Sequence, residues 1–121
     1  MALWLSQCSQ SFFTEAVTPK LDGCKKRRSQ FSMMAACAET VEKGGILLAE
    51  AGTGTGKTFA YLIPLILSGK KAIVSTKTIN LQGQLYSKDL KFLSEIKSFD
   101  YAIAKGRSNY MCLRRFNAFS G

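Results

Sequence analysis

Eight consecutive residues, Ala51 to Thr58 in the stretch "EAGTGTGKTFAYLIPLIL", place three glycines, a lysine and a closing threonine directly ahead of an apolar run. They fit the phosphate-binding pattern G-x-x-x-x-G-K-[ST], with Ala51 in the place of the first glycine. Gly52, Thr53, Gly54 and Thr55 fill the variable positions, and Gly56, Lys57 and Thr58 close the pattern. A loop that wraps a triphosphate must turn its backbone N–H groups inward, which favours residues with little or no Cβ obstruction. Lys57 brings a compact positive charge suited to the β and γ phosphates. Thr58 offers a hydroxyl suited to Mg²⁺, and the helix expected to follow aims its N-terminal dipole at the same anion. The chemistry this implies is the binding of ATP with Mg²⁺.

Other chemistries find less support. The chain has no histidine, and its four cysteines, Cys8, Cys24, Cys37 and Cys112, are separated by 16, 13 and 75 positions with no C-x-x-C pair. That spacing reads as no complete zinc site. Hydrolysis of a bound triphosphate needs an acid at the end of a strand to hold Mg²⁺ and orient water. Four apolar residues followed by an acid occur only in "ILLAE", which leads into the glycine-rich loop itself.

The elements that must carry the loop are legible around it. "SQFSMMAACAETVEK" spaces Phe31, Met34, Ala35, Ala38 and Val41 as one helical face, which predicts a helix from Ser29 to Lys43, with Ser29 as its cap and Gly44 and Gly45 closing it. "GILLAE" is a continuous apolar run bounded by glycines and predicts a short buried strand. Residues 57–67 predict a helix that contains Pro64, and "KKAIVST" at 70–76 predicts a second strand. A helix over 78–96, weakened by Gly83, a third strand at 100–106 and the start of a helix in "NYMCLRRF" complete the pattern. Alternation of helix and strand implies an α/β fold built on a parallel sheet. Residues 1–20 hold an apolar cluster without a clear period and stand as an unassigned N-terminal extension.

The bulk properties agree with a partner that is a polyanion. A chain of 121 residues amounts to one domain. Seventeen Lys and Arg against eight Asp and Glu give a net charge of +9, part of it in the run "KKRR" at 25–28, and summed positive potential attracts phosphate. The opening "MALWLSQCSQSFF" lacks the basic region of an export signal, and no apolar stretch reaches the 18 residues of a membrane span. These features fit a reducing cytoplasm.

Three stretches, "EAGTGTGKTFAYLIPLIL", "AIVSTKTINLQGQLYSKDL" and "AKGRSNYMCLRRF", taken in this order, resemble the DNA helicases of the DinG and YoaA type, bacterial relatives of the XPD iron–sulphur helicases of superfamily 2. The resemblance runs from about Leu21 to Phe116. It implies a P-loop NTPase (RecA-like) three-layer fold, of which residues 21–121 would form the N-terminal portion of the first motor domain. It assigns Arg27, Gln30 and Met33 to a Q-like motif on the adenine side, where a glutamine amide can pair with both a donor and an acceptor of the base. Cys24 stands where the family usually has an aromatic residue, so a stacking partner for the base would be missing. The resemblance also assigns Thr76, Lys77, Thr78 and Gln82 to motif Ia, which meets the backbone of single-stranded DNA; the same polar residues could equally cap the helix that starts near Ile79.

In "GRSNYMC" the resemblance makes Cys112 the first of four thiolates that hold a [4Fe–4S] cluster in the full-length family. That family runs to several hundred residues. The chain is therefore expected to match its N-terminal part, able at most to bind nucleotide and DNA, without useful hydrolysis. The parent reaction would be ATP hydrolysis coupled to movement along single-stranded DNA. The alternative is a non-catalytic nucleotide- or nucleic-acid-binding module; a small nucleotide kinase fits less well, since nothing after the loop resembles a lid or an acceptor site.

Overall fold

The structure is a computed structural model that describes residues 4–21, 27–52 and 56–119. Cys24, Lys25 and Lys26 of the "KKRR" run, and Thr53, Gly54 and Thr55 of the glycine-rich loop lie outside the described residues. Helix α1 spans Trp4–Phe12 and runs on through a π-helical turn, Phe13–Val17, and a 3₁₀ turn, Thr18–Lys20. Helix α2 is Arg28–Lys43 and α3 is Lys57–Ser68. Helix α4, Ile79–Gln84, passes through a second π-helical turn, Leu85–Leu90, into α5, Lys91–Ile96. A 3₁₀ turn at Arg107–Asn109 precedes α6, Leu113–Phe119.

The expected parallel sheet does not form: among the described residues there is no strand, so the α/β fold and the RecA-like three-layer arrangement are overturned by a helical architecture. Residues 46–50, 71–76 and 100–105 form neither helix nor strand despite their apolar and β-branched content, and no backbone hydrogen bond joins one to another. A strand exists only through its neighbour's N–H and C=O groups. Without that ladder the apolar side chains gain no cover. Ile46 is 94% exposed, Leu48 93% and Ile73 99%.

What packs instead is helix on helix. On α2 the residues at four-residue spacing, Gln30, Met34 and Ala38, are buried, with Phe31 and Met33 partly covered beside them. This is the face expected from the sequence, turned slightly so that Gln30 joins it. From α3 come Ala60, Leu62 and Ile63, and from the turn after α1 come Phe13 and Val17, while Leu85 and Leu93 close the cluster from the α4–α5 arm. Phe13 meets Phe31 edge to face at 5.8 Å and Phe59 at 6.4 Å, and Phe59 meets Phe92 at 6.0 Å. Aromatic contacts at these separations add to the area that the rings remove from water.

Residues 1–20, without a readable period, therefore contain a helix that contributes Leu5, Phe13 and Val17 to the interior. The period was hidden because two of the buried positions on α1 are the polar Ser6 and Ser9, which interrupt the apolar pattern between Leu5 and Phe13. The first turn of α1 is stabilised from outside: the Leu5 N–H donates to Glu42 Oε1 at 2.9 Å, which places a carboxylate at a helix N-terminus.

Helix ends follow local chemistry. Helix α2 begins one residue earlier than its predicted start, and its cap position is Arg27, which adopts an extended conformation without a side-chain capping bond. Gly44, at φ 79°, ends it as expected, and its N–H reaches Thr40 O at 2.8 Å. Helix α3 continues through buried Pro64 to Ser68. Thr78 caps α4 by accepting from the Leu81 N–H at 3.2 Å.

Candidate nucleotide and nucleic-acid site

The phosphate-loop residues converge at the N-terminus of α3. Gly56 occupies the cap position with φ 74° and ψ 30°, a left-handed conformation that side chains rarely adopt. It is closed to a side chain by space as well, because a Cβ built there would overlap the Gln30 amide nitrogen. Gln30, only 5% exposed, donates from Nε2 to the Gly56 carbonyl at 3.1 Å. The last carbonyl of the loop is thus held by a side chain 26 residues earlier, from the buried face of α2.

Lys57 returns across the loop, and its ammonium donates to the Ala51 carbonyl at 2.5 Å. Its charge therefore lies against the first residue of the glycine-rich stretch. Thr58 is half-buried on the first turn of α3, and Ala60 behind it is fully buried, so core packing fixes this turn. Tyr61, on the next turn, has its phenol pushed above the ordinary range by burial. Gly52 is exposed, with open space where a Cβ would stand, while Thr53, Gly54 and Thr55 are among the residues not described.

The adenine-side assignments divide. Gln30 is buried and committed through its amide to Gly56, and Arg27 is exposed at the start of α2. The structure thereby places Gln30 at the loop rather than on open surface. That contact left no mark in the sequence pattern beyond a polar residue on an apolar helical face.

The motif Ia residues sit together at the start of α4, and most of their visible bonds are local. Thr76 donates its hydroxyl to Thr78 O at 3.2 Å, Thr78 caps the helix, and the Gln82 N–H returns to Thr78 O at 3.0 Å. Lys77 is exposed between them. Gln82 also reaches further, donating from Nε2 to Ala104 O at 2.8 Å, which ties α4 to the segment that precedes Arg107. Sequence reasoning missed this tie and the row of rings beside it. Tyr86 meets Tyr101 at 5.3 Å, and Tyr101 meets Phe99 at 5.4 Å.

Cys112 is exposed just ahead of α6, and its carbonyl accepts from the Phe116 N–H at 2.9 Å. Among the described residues no three cysteine, aspartate or glutamate side chains converge as a metal site. Cys8 and Cys37 lie on α1 and α2, and burial pushes the Cys37 thiol up. The four thiolates that a [4Fe–4S] cluster takes are not brought together by these residues.

Gly56 at the head of α3 and Lys57 bonded back to Ala51 form a candidate nucleotide corner. The profile of the DEAD/DEAH box helicase family matches residues 31–116, and the chain belongs to that family. Among proteins of known name it is 48% identical over 97 residues to the ATP-dependent DNA helicase YoaA of Escherichia coli (strain K12), a match that covers 78% of this chain and 15% of that protein. It is 41% identical over 105 residues to the ATP-dependent helicase DinG of Mycobacterium tuberculosis (strain ATCC 25618 / H37Rv), over 78% of this chain and 16% of that one. It is also 38% identical over 108 residues to a protein of Bacillus subtilis (strain 168) named 3'-5' exonuclease DinG, over 84% of this chain and 12% of the relative. The chain spans about a sixth or less of the length of these relatives. No helix among the described residues is long and apolar enough to cross a membrane.

Proposed function

We propose that this chain is the nucleotide-binding portion of an ATP-dependent DNA helicase of the DinG/YoaA type, and that its own capacity is to bind ATP with Mg²⁺ and single-stranded DNA. The observation that carries the reading is the Lys57 ammonium bridging back over its loop to Ala51 at the head of α3. A phosphate oxygen is a stronger acceptor for an ammonium than a neutral carbonyl, so a bound triphosphate draws Lys57 off Ala51.

In this reading Lys57 neutralises the β and γ phosphates, and the first-turn N–H groups of α3 hold the anion. Thr58 presents its hydroxyl toward Mg²⁺, which when bound supplies charge neutralisation between phosphate oxygens. Arg27 and Gln30 serve the nucleotide side, Gln30 through its grip on Gly56. Thr76, Lys77, Thr78 and Gln82 serve the DNA strand. Cys112, an exposed thiol, would supply the first of the four thiolates that a [4Fe–4S] cluster takes in the full-length family.

The test is binding of a fluorescent ATP analogue with Mg²⁺ to the wild-type chain and to Lys57→Ala. Weak binding that the alanine variant loses is the expected result. Equal affinities would overturn the assignment.

A further inference from the structure

We infer that Tyr86 and Tyr101 form a base-stacking platform for single-stranded DNA beside the polar stretch 76–82; this deepens the proposed DNA-binding role of that stretch and rests on it. Three rings stand in file along the seam between the α4–α5 arm and the segment 99–105. Phe99 and Tyr101 are 5.4 Å apart with planes tilted by 41°, and Tyr101 and Tyr86 are 5.3 Å apart at 63°. Phe99 is packed against the apolar core, whereas Tyr86 and Tyr101 lie outside it. Tyr86 is 37% exposed and Tyr101 partly so.

The position of the rings joins them to the DNA-facing residues. Tyr86 follows Gln82 by four residues, across the junction of α4 with its π-helical turn, and Gln82 holds Ala104 O at 2.8 Å three residues beyond Tyr101. The same seam is framed by cations. Lys77 is exposed at the cap of α4, and Lys105, exposed directly after Ala104, is fixed by its N–H donating to Tyr110 Oη at 2.9 Å. Over residues 76–119 there are eight Lys and Arg and three Asp and Glu, a net charge of +5. Aromatic faces interleaved with a positive surface are the combination that holds single strands without reading sequence, since every base offers a π face and every phosphate a charge. Thr76, Lys77 and Thr78 alone would meet only phosphate; the rings give the strand's bases somewhere to go.

The experiment measures affinity of the full chain for an oligothymidylate and for an abasic strand of equal length, each over a range of salt. Tyr86→Ala is expected to weaken binding to oligothymidylate about tenfold, the loss of one stacked base, with no change on the abasic strand and no change in salt slope. Tyr86→Phe keeps the ring and is expected to bind as wild type. Lys77→Ala is expected to weaken both strands and to lower the salt slope by about 0.7, one phosphate contact on a single strand. Circular dichroism confirms that each variant keeps its helices. If Tyr86→Ala binds oligothymidylate as wild type, or weakens both strands equally, the stacking platform is overturned. If Lys77→Ala still shows its effect in that case, the role of the 76–82 stretch survives without the rings. Absence of binding by the wild-type chain overturns both.

Discussion

The nucleotide corner and the seam that carries the polar stretch 76–82 are held in different ways. At the corner, the head of α3 is tied to the interior. Gln30 reaches Gly56 from a buried helical face, Ala60 and Ile63 are fully covered one and two turns on, and Lys57 closes the loop on itself. Along the seam, Thr76 and Thr78 are held by bonds within the start of α4 and Gln82 by its bond to Ala104 O, and Leu85 below them enters the core. Position in the first region comes from packing, which resists displacement. In the second it comes from cap chemistry and one cross-link, which are cheap to break. A loop that must hold a charged ligand against its own dipoles benefits from the first arrangement, and a surface along which a strand slides tolerates the second.

The strongest way to break the contrast is Gly56→Ala. It adds left-handed strain of about 1–2 kcal/mol for a residue with a Cβ to an overlap with the Gln30 amide, of a kind that costs about 1–3 kcal/mol when the neighbour must give way. The expected loss is about 2–5 kcal/mol in urea unfolding. Combining it with Gln30→Ala should return the overlap part and leave the strain. If the double variant is no more stable than Gly56→Ala, the grip of Gln30 on the loop is not what restricts this position.

A smaller effect is expected at the seam. Thr78→Ala removes the cap that accepts from Leu81 N–H, at a cost of about 1 kcal/mol by the same measurement. It should leave binding of the fluorescent nucleotide unchanged, since the cap acts at the start of α4 and the loop at the start of α3. A loss of nucleotide affinity in this variant would erase the distinction between the two regions.

The smallest effect concerns Asp89, in the π-helical turn between α4 and α5, whose carboxyl is held above its usual range by burial, partly offset by Lys88. A raised folded pKa means that the folded chain binds more protons than the unfolded one within the window between the two values. Stability therefore falls as pH rises from the ordinary aspartate value, about 3.9, through the raised one. Asp89→Asn should remove this slope and raise the melting temperature slightly near neutrality, with no gain below about pH 3.5. A parallel shift at all pH values would point to packing instead.

Several parts of this molecule were legible in the sequence for local reasons. The helix that ends at Gly44, the helix that opens at Lys57, and the start of α4 after Thr78 all rest on residues that act within one turn: a left-handed glycine, a phosphate-loop pattern and a hydroxyl cap. The resemblance that led to the family rested on residue order alone, and the match over 31–116 agrees with it. By contrast, "GILLAE", "KKAIVST" and "DYAIAKG" carry the composition of buried strands. Composition cannot supply the neighbour that turns an extended segment into a sheet, and here the described residues offer none. The helix at 4–12 was hidden for a different reason, because Ser6 and Ser9 occupy buried positions on the face by which an apolar period is recognised.

The sequence by itself determined the candidates for facing a triphosphate, since Gly56, Lys57 and Thr58 are grouped by covalent spacing along one turn. Only the tertiary structure decided that Gln30 braces that loop, that Gln82 ties α4 to Ala104, and that Tyr86 meets Tyr101. Those contacts join residues 26, 22 and 15 positions apart. Separations of that size are set by how helices pack, and packing answers to the whole apolar pattern rather than to any local stretch.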